Sequence, residues 1–509
     1  MGPLNHPIAT TSPAAQRWFD QGLTLDYAFN HEEAVRSFRQ AARLDPKAAM
    51  PWWGAALALG PNYNLDVDPQ REKEAYDASQ KALELAAGGP QVELDYCRAL
   101  ARRYTNQPQP DYHQLALDYV AAMRELHRRY PDDPDAATLY AESLMLLHPW
   151  GLWRVDGTPE EGTLEILSVL ESVLRRDPDH VGANHYYIHA VEASPHPEWA
   201  LASARRLDTL VPGAGHLVHM PAHIYSRTGF YTDAVRANQA AVAADRAYLA
   251  ATHSDNSLYG MMYYSHNLHF LAYAAAMAGR SGEARRAAAA LAAQAAPAAA
   301  GMPMAEWFLP VEPAVLLRFR LWNEVLALPL PDPKLRLATA FWHYARGMAF
   351  AGTGGVERAR AEFQALQAGA SALPSGAAYG FNSAAAVFSI AAASLDARIA
   401  EAGGDRKRAI ESWKKAVAAQ DALAYDEPPD WISPARESLG GVLLRDSQFA
   451  AAEAVFREDL LRNPANPRSL FGLARALEGQ HREREAAWVE AEFERAWRGA
   501  DVKLTVADL

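Results

Sequence analysis

The chain has 509 residues, half of them apolar and a tenth aromatic, with a formal net charge of −12. That composition describes folded material rather than an acidic disordered chain, and the length calls for a stack of neighbouring units rather than one compact core. Phosphate binding needs a basic face, so the charge predicts no nucleic-acid partner, and the lone Cys97 excludes an intrachain disulfide or a thiolate cluster.

The chain has no run of 18 uncharged apolar residues, so no membrane span is predicted. Its start, M-G-P-L-N-H-P-I-A-T-T-S-P, has neither a charged n-region nor an apolar h-region. A soluble cytoplasmic protein is the expectation.

Residues 1–13 read as a loose polar N-terminal arm, and residues 14–178 as a first block of repeats. Gly22, Ala34, Phe38, Ala41 and Pro46 put small residues where two helices touch and a proline where the second ends. Apolar residues there recur at i, i+3, i+4 and i+7. A second unit opens on Trp52, Trp53 and Gly54. The polar loop G-P-N-Y-N-L-D-V-D-P-Q then interrupts it, and reads as a cover over one end of a groove. Helices are predicted around Ala75–Leu85 and over Tyr96–Tyr104, Leu115–Arg129, Ala136–Leu147 and Leu164–Arg176. The aromatic loop H-P-W-G-L-W-R-V-D-G-T-P precedes the last, and its Trp150 and Trp153, like Trp52 and Trp53, read as packing residues.

Residues 179–283 are rich in histidine. Ten of the 17 histidines fall between His180 and His269. His185 to His219, His189 to His223 and Gly182 to His216 are each 34 residues, the length of a helix–turn–helix repeat. The step from His219 to His269 is 50 residues, one period plus a 16-residue insertion around Ala250–Met262.

Residues 284–420 read as irregular repeats. An alanine-rich stretch, 284–300, predicts a weakly packed helix and a turn, and M-P-M-A-E-W-F-L-P-V-E-P reads as a loop. Repeats return at Gly347, Ala359 and Phe363, and again at Gly404, Ala409, Trp413 and Ala416. Residues 421–509 form the C-terminal repeats. Their loop Y-D-E-P-P-D-W-I-S-P reads either as a flap over the groove or as an ordered turn. Gly440, Ala452, Phe456 and Pro464 follow, and Gly472 stands eight residues after Pro464 as Gly54 does after Pro46. The fold class expected is all-α, a right-handed α-solenoid of about eleven or twelve helix pairs.

These repeat residues resemble the tetratricopeptide repeat superfamily over nearly the whole chain. The phrases G-A-N-H-Y-Y-I-H-A-V-E, H-L-V-H-M-P-A-H-I-Y and Y-D-E-P-P-D-W resemble long bacterial tetratricopeptide proteins with a histidine-rich centre. The resemblance implies a concave surface that binds peptides or partner proteins. It also implies that the second, fifth, ninth and twelfth residues of each first helix line that groove. Counted forward from Pro212, His216, His219 and His223 fall at buried positions 4, 7 and 11; counted back from Gly229 and Ala234, they line the groove at 2, 5 and 9. The backward count is preferred because it gives three helices one polar stripe. It places His185, His189 and Glu192 at 5, 9 and 12, and His266, His269 and Tyr273 at 2, 5 and 9.

Residues three or four apart share a helix face, so His185–His189, His219–His223 and His266–His269, with His216 beside the second pair, form three candidate ligand pairs. Imidazoles without thiolates suit copper first, then iron or zinc, with one or two ions. Glu192 is the candidate base or ligand, Tyr225 a substrate-orienting group and Arg227 an anion anchor. The main expectation is a metal-dependent enzyme acting on a small molecule or peptide in the concave groove, with oxidative chemistry favoured over zinc hydrolysis. The alternative is a non-enzymatic scaffold for a partner protein or peptide, its histidines serving as hydrogen-bonded glue. Oligomeric state is not fixed by the sequence.

Overall fold

The computed structural model describes residues 1–66 and 68–509; Val67, in the polar loop after Gly60, lies outside the described residues. The chain forms two compact units, Met1–Ile224 with Ala243–Thr252, and Tyr225–Val242 with His253–Leu509.

Both units are built from consecutive helices packed in pairs, the all-α helical-repeat fold expected. In the first, helix Pro13–Tyr27 packs on His31–Leu44, Met50–Leu59 on Pro69–Ala86, and Pro134–Met145 on Thr163–Arg176. In the second, Ser265–Met277 packs on Ser281–Ala299, and Arg336–Gly352 on Val356–Ser371. Three more pairs follow in the second unit: Ala384–Ala402 on Arg406–Asp421, Ala435–Arg445 on Phe449–Arg462, and Pro467–Gly479 on Glu483–Ala496.

The repeat residues act through close approach. Phe38 is fully buried between two glycines, and a β-carbon would stand 2.7 Å from its ring at Gly22 and 2.4 Å at Gly54. Phe456 repeats the device, 2.3 Å from a β-carbon at Gly440 and 2.2 Å at Gly472. One aromatic ring thus links each helix pair to the first helix of the next, which is how a repeat chain propagates a core without a central one.

Local signals set the helix ends. Ser12 caps Pro13–Tyr27 by accepting from the Ala15 amide, and Asp133 caps Pro134–Met145 by accepting from Asp135 and Ala136. Two expectations are corrected. The segment around Met302–Pro313 is helical in part, as Pro303–Glu306 and Val311–Arg318. The N-terminal arm is tied down: His6 bonds Asp20 and Asp135, Ile8 bonds Gln16, and Ala9 bonds Glu93. The loop around Tyr425–Trp431 is an ordered turn. Its Asp426 accepts from the Phe381 amide (3.0 Å) and its Asp430 from Asn382 (2.9 Å), at a two-residue antiparallel ladder pairing Ala378 with Ser383.

Candidate metal centre

The site forms in the first unit, on helix Val181–Val191 and its successors. His180 is the N-cap: its Nδ1 accepts from the Ala183 amide at 3.0 Å, and its Nε2 reaches Asp135 at 3.2 Å. Gly182 lets this helix approach helix Pro13–Tyr27, since a β-carbon there would lie 2.6 Å from the Tyr27 ring. Those two anchors set the helix rotation, so His185 and His189, one turn apart, both face inward.

The next histidines sit on a broken helix. Gly215–His219 ends at Met220, and Pro221–Arg227 restarts at a proline that has no amide to continue the ladder. The break falls within the stretch over which the forward and backward counts conflict. Despite it, His219 and His223 meet, with Nε2 atoms 2.8 Å apart.

His185, His189, His216, His219, His223 and Glu192 are all at most 2 % exposed. The His185 and His216 Nε2 atoms are 3.2 Å apart. One ligand atom from each of His185, His189 and His216 lies within 4.8 Å of the other two. Glu192 caps the end of its helix and bridges two rings, taking His189 Nδ1 at 2.7 Å and bonding His223 Nδ1.

These bonds fix protons. A carbonyl or a carboxylate only accepts, so His185 Nδ1 donates to the Tyr27 carbonyl at 2.6 Å, and His189 and His223 each donate Nδ1–H to Glu192. A ring that donates from Nδ1 presents the lone pair of Nε2 when it is neutral. Among the described residues, His189 Nε2 is buried with no hydrogen-bond partner. Burial holds the His185 pKa well below its ordinary value. Burial also lowers His223, although Glu192 opposes it. Burial would raise Glu192, but His223 and His189 reverse that and keep it an anion. Burial thus favours the neutral forms of His185 and His223 beside a carboxylate, the protonation states that metal ligation requires.

Aromatic residues that the sequence reading missed or read as packing wall the cluster. Phe29 stacks on His189 and His216 at 5.6 and 5.4 Å, while Tyr63 and Trp150 approach His189 at 5.2 and 5.6 Å. Phe29 and Trp150 both hold positive φ, 56° and 59°, a left-handed backbone that non-glycine residues adopt at a cost. Tyr186 packs its ring 5.5 Å from His185, and Tyr187 donates to Glu171 (2.9 Å).

The remaining candidates belong to the second unit. His266 and His269 lie on helix Ser265–Met277, directly after a π-helical turn, Tyr259–Tyr264, that takes up part of the insertion. His266 faces the Phe270 ring (5.1 Å) and His269 the Phe308 ring (6.0 Å); burial pushes His269 down to about 3. Tyr225 packs 6.4 Å from the Phe230 ring, and the Arg227 guanidinium lies 5.4 Å over Tyr425. A further group in the first unit, His6, Asp133 and Asp135, has metal-ligand proximity. It is already saturated, since Asp135 takes His6 (2.7 Å), His180 (3.2 Å) and Tyr27 (2.6 Å).

No family model matches the chain, and no curated protein matches it. Among solved structures it is similar to the human IFIT1 dimer with m7Gppp-AAAA, at a TM-score of 0.36 and 14% identity, covering 95% of this chain and 97% of that one. The human IFIT1 dimer with PPP-AAAA gives a TM-score of 0.32 at 14% identity, over 95% of this chain and 93% of that one. A likeness this weak lends no support to a shared function, and none of these matches speaks for copper or redox chemistry. Both neighbours were solved with capped or triphosphate oligonucleotides, and the expectation of no nucleic-acid partner is withdrawn. The exclusion rested on net charge, a whole-chain sum that does not describe any one stretch of surface. Among the described residues, no helix is long and apolar enough to cross a membrane.

Proposed function

We propose that this chain is a non-enzymatic tetratricopeptide-like binding protein whose buried histidine pocket holds a transition-metal ion, copper first. One observation carries the reading: the Nδ1 of His189 bonds Glu192, its Nε2 is buried without a hydrogen-bond partner among the described residues, and one ligand atom from each of His185, His189 and His216 lies within 4.8 Å of the other two. Metal–imidazole bonds of about 2.0–2.1 Å put two ligand nitrogens about 3.3 Å apart, and His185 and His216 stand at 3.2 Å. Glu192 and the Tyr27 carbonyl supply the hydrogen bonds that orient metal-bound imidazoles elsewhere.

Ligand candidates at most 2 % exposed suit a held ion better than turnover of a substrate, which favours the binding reading over the oxidative enzyme. A second reading, histidine glue without metal, is favoured by the 2.8 Å contact of His219 with His223. That contact is a satisfied hydrogen bond if His219 carries its proton on Nε2.

Elemental analysis followed by calorimetric titration with Cu²⁺ and Zn²⁺ tests the reading. The expected result is about one tightly held ion per chain, with affinity reduced about 10–100-fold or more in His189→Ala. Metal below a tenth of an equivalent under every loading condition, with both proteins responding alike to added metal, would leave the glue reading in its place.

A further inference from the structure

In the second unit, residues 503–509 lie across the helices of the C-terminal repeats as a bound peptide does. Three guanidinium groups converge on the Leu509 carbonyl oxygen: Arg320 at 2.6 Å, Arg398 at 3.1 Å and Arg445 at 3.4 Å. Arg445 also donates to the Val506 carbonyl (2.9 Å), and Arg468 to the Asp508 carbonyl. Arg398, Arg445 and Arg468 stand on Ala384–Ala402, Ala435–Arg445 and Pro467–Gly479, the first helices of three successive pairs. Leu509 is fully buried in the core of those repeats. Gly441 makes its room, since a β-carbon there would stand 2.6 Å from the Leu509 β-carbon.

The segment carries its own shape. Thr505 and Asp508 form a capping box around the turn Val506–Asp508, with the Asp508 carboxylate accepting from the Thr505 amide and hydroxyl, both at 2.7 Å. Lys503, Thr505 and Ala507 are exposed, so one buried leucine, one capped turn and four guanidinium groups carry the contact. Those groups favour an acidic occupant. Glu401 pairs with both Arg398 (2.9 Å) and Arg445 (2.7 Å), and Glu437 with both Arg468 (2.7 Å) and Arg318 (3.2 Å). Among the described residues the Arg320 guanidinium has no ion pair, and Asp508 is the acid whose charge supports it.

We propose that the arginine cluster and the hollow at Gly441 form a peptide-binding groove with residues 503–509 as its resident ligand, and that a partner protein enters by presenting the same capped turn: Ser or Thr, an acid three residues on, then leucine. The leucine fills the hollow, the acid closes the turn and offsets Arg320, and main-chain carbonyls take the guanidinium donors. Partner and resident segment compete for one place, so release of the segment sets the affinity. The groove belongs to the second unit and needs no ion; its failure leaves the metal reading standing, and the reverse holds too.

Fluorescence anisotropy of the labelled peptide K-L-T-V-A-D-L with the full chain tests the proposal. Leu509→Lys puts an ammonium among the arginines and is expected to release the resident segment. The peptide is then expected to bind saturably, at least about tenfold tighter than to the parent. The peptide K-L-A-V-A-N-L, which cannot form the box, is expected to bind about fivefold more weakly. Arg320→Gln added to Leu509→Lys is expected to weaken binding about tenfold. In the parent, which needs no substitution, excess peptide is expected to speed trypsin cleavage after Lys503 about threefold or more by holding the segment off. No saturable binding to a Leu509→Lys chain of parental circular dichroism, equal binding to both chains or of both peptides, indifference to Arg320→Gln, or a cleavage rate unmoved by peptide overturns it.

Discussion

At the residue scale, two kinds of buried polar group separate. Asp135 is saturated by two histidines and a tyrosine and is structural; among the described residues, Glu142 and His189 each retain a side-chain atom without a hydrogen-bond partner. Glu142 makes a prediction of its own, with the sign set by linkage. Its unfolded carboxyl ionises near 4.5 and its folded one only near about 7. Between those values the unfolded state binds fewer protons, so the group lowers stability as pH rises. Glu142→Gln is therefore expected to be more stable than the parent at pH 8 by on the order of 2 kcal/mol, and nearly equal at pH 5. Urea melts at the two pH values check this; a less stable variant at pH 8 contradicts it. The 34-residue recurrence made the histidines legible in the sequence. Phe29, Tyr63 and Trp150 were not, because their contacts with His189 join residues far apart in the chain, as does the bond of His185 to Tyr27 across 158 residues. No local pattern encodes such a meeting.

At the element scale, the glycine–phenylalanine device is where sequence and structure agree most closely. Gly22, Phe38 and Gly54 were readable as a repeat, and their close approach explains why those residue types occur there. Gly54→Ala puts a methyl 2.4 Å from the Phe38 ring and is expected to destabilise by about 1–3 kcal/mol through overpacking; Phe38→Ala is expected to cost about 3–5 kcal/mol through the cavity left behind. Chemical melts measure both, and a neutral Gly54→Ala would show that Phe38 moves freely. The helix break at Met220–Pro221 was less legible. The counts from Pro212 and from Gly229 disagreed over this stretch, and neither singled out Pro221, where one short helix gives way to another. The N-terminal arm misled for a related reason: its polar residues suggested solvent, yet the His6 amide and ring bond Asp20 and Asp135 and the Ala9 amide bonds Glu93.

At the scale of the whole molecule, the chain is a helical-repeat protein of two compact units, with His185, His189, Glu192 and His216 in the first. An ion bound there stabilises the unit that holds it by mass action, about 4 kcal/mol at a thousandfold excess over Kd. Scanning calorimetry is expected to show one transition raised on the order of 10 °C by copper, and no rise in His189→Ala. A uniform shift of all transitions in both proteins would mean non-specific binding.

X-ray absorption at the metal edge of the copper-loaded chain tests the central claim most directly. The expected spectrum is nitrogen coordination near about 2.0 Å with the outer-shell scattering of three or more imidazoles, reduced in His189→Ala. Light-atom coordination without imidazole scattering, identical in the two proteins, would contradict a metal centre in the histidine pocket.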